Sequence, residues 1–271
     1  MKTVFVAPFD PVTTKEIEYA RSLLKKKDIT TVYLIPWGKG VLSMTERIRL
    51  LKTAIMPYGH LETNTAINRD DEIYCMDDAE VEEQRVRDGD FFLVPKSVRR
   101  ILLEEGFYFE EVARAHCKPK RFAHSVSVAK TAVMLAHVHH LDEKKAWKAG
   151  ILHDVTKSMS DEEAEKIIKR DKPEWLSISP KVWHSYTACV WIKNHLGPLD
   201  DDILKAIEHH TLGDGKTDLD RILYIADKIE PTRDYDVSSE TELAMRDLKK
   251  AAELVLEESK AYILETEGKH V

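Results

Sequence analysis

The fold and the chemistry of the second half of this chain are indicated most clearly by one stretch, Gly150-Ile151-Leu152-His153-Asp154-Val155-Thr156-Lys157. An apolar helical pattern leads into an adjacent histidine and aspartate, which is hard to explain as surface chemistry. Imidazole and carboxylate are the side chains that hold a catalytic transition metal while leaving positions open for water and substrate. Neighbouring helical residues point about 100° apart, so only a site at a helix end can use both. The stretch therefore predicts a metal site at a helix end.

Four more candidate ligands flank this pair, each among apolar residues with a helical pattern: His124, His184, His210 and Asp227. Any one of these histidines, taken alone, is more simply a hydrogen-bonded core residue. His209 competes with His210, and we assign the role to His210. Asp227 alone is equally explained as a helix cap or ion-pair residue. Because a buried carboxylate is costly without a compensating cation, the joint pattern predicts a metal-dependent hydrolase that activates water.

Composition narrows the class of protein. A length of 271 residues is a soft indication of two domains. The net charge of -7 and the pI near 6.0 argue against a broad basic surface for duplex nucleic acid. They leave a phosphate substrate open, because bound metal ions supply a local positive field.

The cysteines and the apolar runs indicate a cytoplasmic protein. Cys75, Cys117 and Cys189 are scattered and form no Cys-x-x-Cys motif, so neither a disulfide framework nor a thiolate zinc site is indicated. Such residues fit a reducing cytoplasm. The apolar run at the N-terminus is too short for a signal peptide, and no run approaches the length that spans a membrane.

The two halves have different secondary-structure patterns. In the first, strands alternate with helices, which predicts a parallel sheet with crossover helices. The predicted strands are 3–7, 31–35, 60–63 and 72–76, and the predicted helices are 14–27, 44–56 and 97–105. The second half shows helices only, at 119–139, 142–155, 161–169, 183–195, 201–210, 219–229 and 240–266. We therefore expect an α/β domain over 1–108 and an all-α bundle over 109–271.

The order His, His-Asp, Asp resembles the HD-domain metal-dependent phosphohydrolases, and His184 and His210 match members that hold two metals. The surrounding sequence is most similar to the bacterial YqeK family, which hydrolyses diadenosine tetraphosphate symmetrically to two ADP. The stretches that carry this resemblance are Arg121-Phe-Ala-His124-Ser, Gly150 to Lys157, His184-Ser, Ala206-Ile-Glu-His-His210-Thr-Leu-Gly213 and Ile225-Ala-Asp227-Lys-Ile-Glu230-Pro-Thr-Arg233. The resemblance covers about 115–255.

The resemblance implies a role for each matching residue. A dinuclear site, with iron as the family's metal, would be held by His124, His153, Asp154, His184, His210 and Asp227. The same donor set admits manganese, zinc or nickel. Metal-activated water would attack phosphorus at this site, with Asp154, Lys157 and Arg233 as the candidate catalytic residues. Lys157 and Arg233 are also candidate phosphate contacts, with Thr211 and Gly213 as weaker ones that would offer backbone donors. A solvated helix-end lysine explains Lys157 equally well.

The first half resembles nicotinate-nucleotide adenylyltransferases through Phe9-Asp10-Pro11, Val94-Pro95 and Gly106-Phe107-Tyr108. The resemblance implies a Rossmann-like nucleotidyltransferase fold. That family's glycine pair reads Val6-Ala7 here, and its His-x-Gly-His motif reads Thr13-Thr14-Lys15-Glu16. Its late phosphate-binding hydroxyls have become Glu82, Glu83 and Gln84, although Arg87 persists. We therefore expect a retained fold whose adenylyltransferase chemistry is lost.

The resemblance predicts symmetrical hydrolysis of diadenosine tetraphosphate to two ADP. Two alternatives stay open: another HD-type nucleotidase acting on mononucleotides, and a non-catalytic nucleotide-binding regulatory protein. The expected partner is a small-molecule nucleoside polyphosphate, with neither nucleic acid nor membrane. The first domain is a candidate for nucleotide binding or homodimerisation.

Overall fold

The structure is a computed structural model that describes residues 2–267. The chain separates into two compact units: Met1–Glu111 with His195–Gly197, and Val112–Asn194 with Pro198–Val271. Among the residues described, no helix combines the length and the apolar character needed to cross a membrane.

The first unit is built on a parallel sheet, as the alternating pattern predicts. Its strands are β1 (Thr3–Ala7), β2 (Val32–Pro36), β3 (Leu61–Thr63) and β4 (Glu72–Tyr74), in the order β3-β2-β1-β4 with every neighbouring pair parallel. The crossover and flanking helices are α1 (Thr14–Leu23), α2 (Met44–Ile55), α3 (Ala79–Arg87) and α4 (Lys96–Glu105). Side chains such as Phe5 and Leu34 are fully buried, as expected for strands covered by helices on both faces.

Local sequence explains where α1 and α2 begin. Thr13 and Glu16 form a capping box at the start of α1, and Ser43 and Glu46 form another at the start of α2. In each box the hydroxyl accepts a bond from the third helical amide while the glutamate bonds back to the cap, so otherwise unpaired backbone donors are satisfied.

The second unit is entirely helical in the described residues. After α5 (Phe109–His116), its helices are α6 (Pro119–Val138), α7 (Glu143–Leu152), α8 (Asp161–Asp171), α9 (His184–His195), α10 (Asp201–His209), α11 (Asp218–Ile229), α12 (Ser238–Ala244) and α13 (Leu248–Glu267). Helices α6, α7, α10 and α11 pack on one another and supply most of the buried apolar core.

Glycine permits the closest of these contacts. A Cβ on Gly150 of α7 would lie 2.5 Å from Cα of Ala129 on α6. The missing side chain therefore lets the two backbones approach, and this brings His153 at the end of α7 toward α6, which carries His124.

Three helix predictions are wrong, and the first is the helix predicted over 14–27, which ends at Leu23. The predicted helix 240–266 is two helices, because the chain breaks after α12 and Asp247 caps α13 by accepting a bond from the Lys250 amide at 3.1 Å. The predicted helix 142–155 ends at Leu152, so His153 and Asp154 lie in the turn that follows. This turn gives two sequence neighbours access to one site, which a continuous helix would not.

Candidate metal centre

The structure brings all six candidate ligands together in the helical unit. His124 lies on α6, His153 and Asp154 follow α7, His184 begins α9, His210 caps α10 and Asp227 lies near the end of α11. Every one of them is at least nine-tenths buried. Nε2 of His124 lies 3.0 Å from Oδ1 of Asp227, and Nε2 of His184 lies 3.1 Å from Oδ1 of Asp154.

Backbone and carboxylate acceptors orient the four imidazoles. Nδ1 of His153, His184 and His210 donates to the carbonyl oxygens of Gly150, Lys181 and Ile207, at 2.7, 2.9 and 2.6 Å. Nδ1 of His124 lies 3.0 Å from Oε1 of Glu230. A proton held on Nδ1 leaves Nε2 as a lone-pair donor, which is the usual arrangement of metal-binding histidine.

The resulting lone pairs face one another, which is the strongest sign that a cation belongs between them. Nε2 of His184 and Nε2 of His210 are 3.2 Å apart. Among the described residues, Nε2 of His124 and of His153 are buried without a hydrogen-bond donor, and the carboxylate oxygens beside them, Oδ1 of Asp227 at 3.0 Å and Oδ2 of Asp154 at 3.4 Å, are acceptors as well. Two acceptors in contact repel, and buried acceptors without donors are costly. The donor set therefore fits a bound transition metal.

The ligand atoms divide into two overlapping groups. Those of His124, His153 and Asp227 lie within 4.8 Å of one another, and so do those of His153, Asp154 and His210. His184 adjoins the second group through Asp154 and His210. These two groups, which share His153, make the cluster a candidate metal site.

Electrostatic interactions favour ionised carboxylates and neutral imidazoles of His184 and His210, whereas Asp154 raises the pKa of His153 although burial opposes this. Burial alone would raise the pKa of Asp154, but the imidazoles of His153 and His184 hold it well below its usual range. Burial would likewise raise the pKa of Asp227, and Lys228 and His124 hold it well below that range. Burial also lowers the pKa of His210 and of His184. Anionic carboxylate and neutral imidazole are the protonation states that bind metal.

Three residues near the ligands were not predicted as functional. Glu230 is fully buried and fixes His124, and hydrogen bonds from Thr232 and Ser127 outweigh burial to lower its pKa to about 2. Nη1 of Arg121 lies 3.0 Å from Oδ2 of Asp154, and Nζ of Lys228 lies 2.7 Å from Oδ2 of Asp227. A glutamate directly after an apolar helix that carries a candidate ligand was the available signal for Glu230.

The other predicted site residues occupy different positions around the cluster. Lys157 lies in the turn after α7, and its Nζ lies 3.1 Å from Nδ1 of His184. Nη2 of Arg233 lies 3.0 Å from Oδ1 of Asp227. Thr211 follows His210, and its hydroxyl donates to Ser185 at 3.1 Å.

Gly213 does not fit the predicted role of a backbone donor to phosphate. Its amide already donates to the carbonyl of His209 at 2.9 Å. Its φ of +66° and its approach to Tyr224 explain the glycine, since an added Cβ would lie 2.6 Å from the tyrosine ring.

His209 lies outside the cluster although it precedes His210. Its Nδ1 lies 2.7 Å from Oδ1 of Asp214, and about a third of its side chain is exposed. His137 pairs with Glu143, and His139 donates from Nε2 to the carbonyl of Ala244, so neither points at the ligands.

In the first unit, both the retained and the replaced residues of the adenylyltransferase-like motifs are engaged in internal contacts. The Glu16 carboxylate accepts bonds from the amide and hydroxyl of Thr13. Asp10 accepts bonds from the amides of Val41 and Leu42 and from the Tyr108 hydroxyl. Arg87 donates to the Asp10 carbonyl and lies 3.5 Å from Oε2 of Glu83.

Comparison with known proteins relates the helical unit to one enzyme family. Residues 121–232 match the HD domain. The symmetrical bis(5'-nucleosyl)-tetraphosphatase of Bacillus subtilis is 39% identical over 135 residues, which cover 48% of this chain and 73% of that protein. An HD superfamily hydrolase of Clostridium acetobutylicum, described as involved in NAD metabolism, superposes with a TM-score of 0.55 at 30% identity, over 58% of this chain and 86% of that chain.

The name of a further relative joins two activities. The probable nicotinate-nucleotide adenylyltransferase/Ap4A hydrolase of Mycoplasma pneumoniae is 31% identical over 178 residues. The match covers 61% of this chain and spans half the length of that relative.

Proposed function

We propose that this chain, which belongs to the HD-domain hydrolase family of the symmetrical bis(5'-nucleosyl)-tetraphosphatases, hydrolyses diadenosine tetraphosphate to two molecules of ADP. The proposal rests on one observation: four imidazoles and two carboxylates form a buried cluster in which their possible metal-ligand atoms face one another. One water adds to an inner phosphorus, the bond to the central bridging oxygen breaks, and each half leaves as a nucleoside diphosphate.

The six ligands would hold two metals, whose chemistry is to activate water and to offset charge on phosphoryl oxygens. Around them the chain supplies cations for a substrate rich in negative charge. Arg121, Lys228 and Arg233 each contact a ligand carboxylate, and Lys157 lies against His184. Because these cations are fixed before substrate arrives, they bind phosphate without reorganisation. We assign Lys157 and Arg233 to the inner phosphates.

Iron is the metal we propose, with manganese, zinc and nickel as the alternatives to be tested. The support is the donor set itself, because imidazole and carboxylate without thiolate suit iron and manganese as well as zinc. The thiol of Cys117 donates to the backbone carbonyl of Asp154 at 3.6 Å, and burial raises the pKa of that thiol to about 11.

The test is product analysis on reconstituted protein. Purified apoprotein is loaded anaerobically with ferrous iron, manganese or zinc, incubated with diadenosine tetraphosphate, and its products are separated by ion-exchange chromatography. Asp154→Asn is the matched variant, since it keeps the shape of the side chain while removing its charge. We expect ADP as the sole product and its loss in the variant.

The other outcomes distinguish the alternatives. ATP plus AMP would place the attack at an outer phosphorus and contradict symmetrical cleavage. Release of adenosine and phosphate from mononucleotides, without cleavage of the dinucleotide, would indicate a nucleotidase. Tight metal binding without turnover of either substrate class would indicate a regulatory protein.

For the first unit we propose a fold without adenylyltransferase activity. The carboxylate of Glu16 stands at the start of α1, where a phosphate would otherwise bind the helix N-terminus, and it already satisfies that end. Incubation with nicotinate mononucleotide and ATP is expected to yield no dinucleotide.

We also propose that the enzyme works in the cytoplasm. Cys75, Cys117 and Cys189 are all free thiols, and Cys75 is exposed, which suits a reducing compartment.

A further inference from the structure

A cavity of about 750 Å³ in the helical unit opens beside the metal centre. Its walls come from the end of α11, the segment that follows it, α12 and α13, with Thr211 from the turn after α10. Lys228 and Arg233 line the cavity and also contact the ligand carboxylate of Asp227. These two cations therefore contact both the cavity and a candidate metal ligand, and the volume of the cavity is typical of a site for a small organic molecule.

The cavity also presents accessible aromatic rings. Tyr262 on α13 is 67% exposed and Tyr235 is 52% exposed. Tyr235 is held in place because its hydroxyl donates to the carbonyl of Lys228 at 2.8 Å. Val255 and Ile229 contribute apolar surface. A flat heteroaromatic ring stacks favourably on surfaces of this kind.

Charge is distributed unevenly along the walls. Lys228 and Arg233 lie on the side of the cavity next to Asp227. Glu240 and Glu258 also line the cavity, and their carboxylates are close enough to interact with each other. Phosphates are attracted to the cations and repelled by the carboxylates, while the ring amino groups of a base donate to carboxylates. A nucleotide in this cavity would therefore have its phosphates toward the candidate metal ligands and its base toward Tyr262.

We propose that this cavity binds one nucleoside end of the dinucleotide substrate, with the base stacked on Tyr262 and Tyr235 and the adjoining phosphates on Lys228 and Arg233. The proposal rests on the function proposed above and adds to it the residues that recognise the base. It also explains why residues far from the ligands in sequence, on α13, belong to the same site.

The test measures binding separately from turnover. Titration calorimetry on the metal-loaded full chain gives dissociation constants for ADP and for inorganic pyrophosphate, which lacks the base. The variants are Tyr262→Ala, which removes the ring, and Tyr262→Phe, which keeps it. Leu264→Ala is the control, because this residue is 74% exposed on the same helix and does not line the cavity. Circular dichroism checks that each variant is folded.

Stacking contributes roughly 1–3 kcal/mol per base, so Tyr262→Ala is expected to weaken ADP at least about 5-fold. Pyrophosphate affinity should stay unchanged, and Tyr262→Phe and Leu264→Ala should bind ADP like the parent protein. Unchanged ADP affinity in Tyr262→Ala, equal weakening of both ligands, or absence of ADP binding to the parent protein would each overturn the proposal. A parent protein that binds ADP through Tyr262 but cleaves no dinucleotide would refute only the proposed function.

Discussion

At the scale of single residues, the choice between His209 and His210 shows what a metal site requires. Both histidines end the same apolar helix, yet only His210 is buried and has its Nε2 directed at another imidazole. His209 pairs with Asp214 in partial contact with solvent. The pair is therefore a natural comparison between a ligand and a neighbour of the same chemistry.

We expect His210→Ala to lose bound metal and to lower kcat by on the order of 100-fold or more, since even residues that only orient ligands contribute 10- to 100-fold. His209→Ala should stay within about twofold of the parent protein, because its ring contacts no ligand. Plasma mass spectrometry of the purified proteins and initial rates with diadenosine tetraphosphate measure both effects. Equal losses in the two variants would contradict the assignment.

Glu230 gives a second prediction at this scale. Glu230→Gln keeps the size of the side chain but removes the charge that orients the His124 ring, so metal affinity is expected to fall roughly 10- to 100-fold. Glu242→Gln is the control, because Glu242 is exposed and pairs only with Arg246 on the surface. Competition with a chelator of known affinity measures the change, and an unaltered affinity in Glu230→Gln would remove this residue from the site.

The six candidate ligands could be recognised from the sequence, whereas the cations that contact them could not. Histidine and aspartate within apolar helical patterns made the six candidate ligands recognisable, since water-exposed positions seldom have apolar neighbours on every side. Arg121 and Lys228 were not recognisable in this way. Charged residues at helix ends are common, and only the fold reveals that these two contact ligand carboxylates.

At the scale of elements, the contact between α6 and α7 positions half of the cluster. Gly150→Ala places a methyl group 2.5 Å from a backbone atom of Ala129, so the helices must separate. We expect a loss of about 1–3 kcal/mol in the free energy of unfolding, as for other overpacked cores, together with weaker metal binding.

Gly59→Ala is the matched control for this change, since an added Cβ there meets no atom within 4 Å. Its stability should change by less than about 1 kcal/mol. Urea unfolding of the apoproteins compares the two, and a Gly150→Ala protein as stable as the parent would show that α6 and α7 tolerate a wider spacing.

Helix boundaries were the part of the fold that periodicity predicted least well. The apolar repeat continues across 240–266, so it gives no sign of the break between α12 and α13. The break depends on Asp247, whose side chain accepts from the Lys250 amide and starts a new helix. Strand and helix alternation in the first unit was simpler to predict, because buried parallel strands need short apolar runs.

Across the full chain, the two units differ in whether their buried carboxylates are compensated by positive charge. The helical unit collects carboxylates where cations and imidazoles compensate them. The first unit instead buries Glu16 and Glu83 near each other, with Asp10 and Arg87 beside them. Burial, followed by the mutual repulsion of the pair, raises the pKa of Glu16 well above its usual range. Burial also raises the pKa of Glu83 to about 7.

This arrangement predicts a pH dependence that belongs to the first unit. The pKa of the Glu83 carboxyl is higher in the folded chain than in the unfolded chain, so ionisation of this carboxyl opposes folding. The free energy of unfolding therefore decreases as pH rises from about 4.5 to about 7. Glu83→Gln carries no charge at any pH. Its stability relative to the parent protein should therefore increase by about 1–3 kcal/mol between pH 5 and pH 8.

Urea unfolding at pH 5, 6, 7 and 8 measures the trend, with the exposed neighbour Glu80→Gln as the control. If the difference in the free energy of unfolding between Glu83→Gln and the parent protein stays constant with pH, Glu83 is already ionised in the folded protein and Arg87 stabilises its charge.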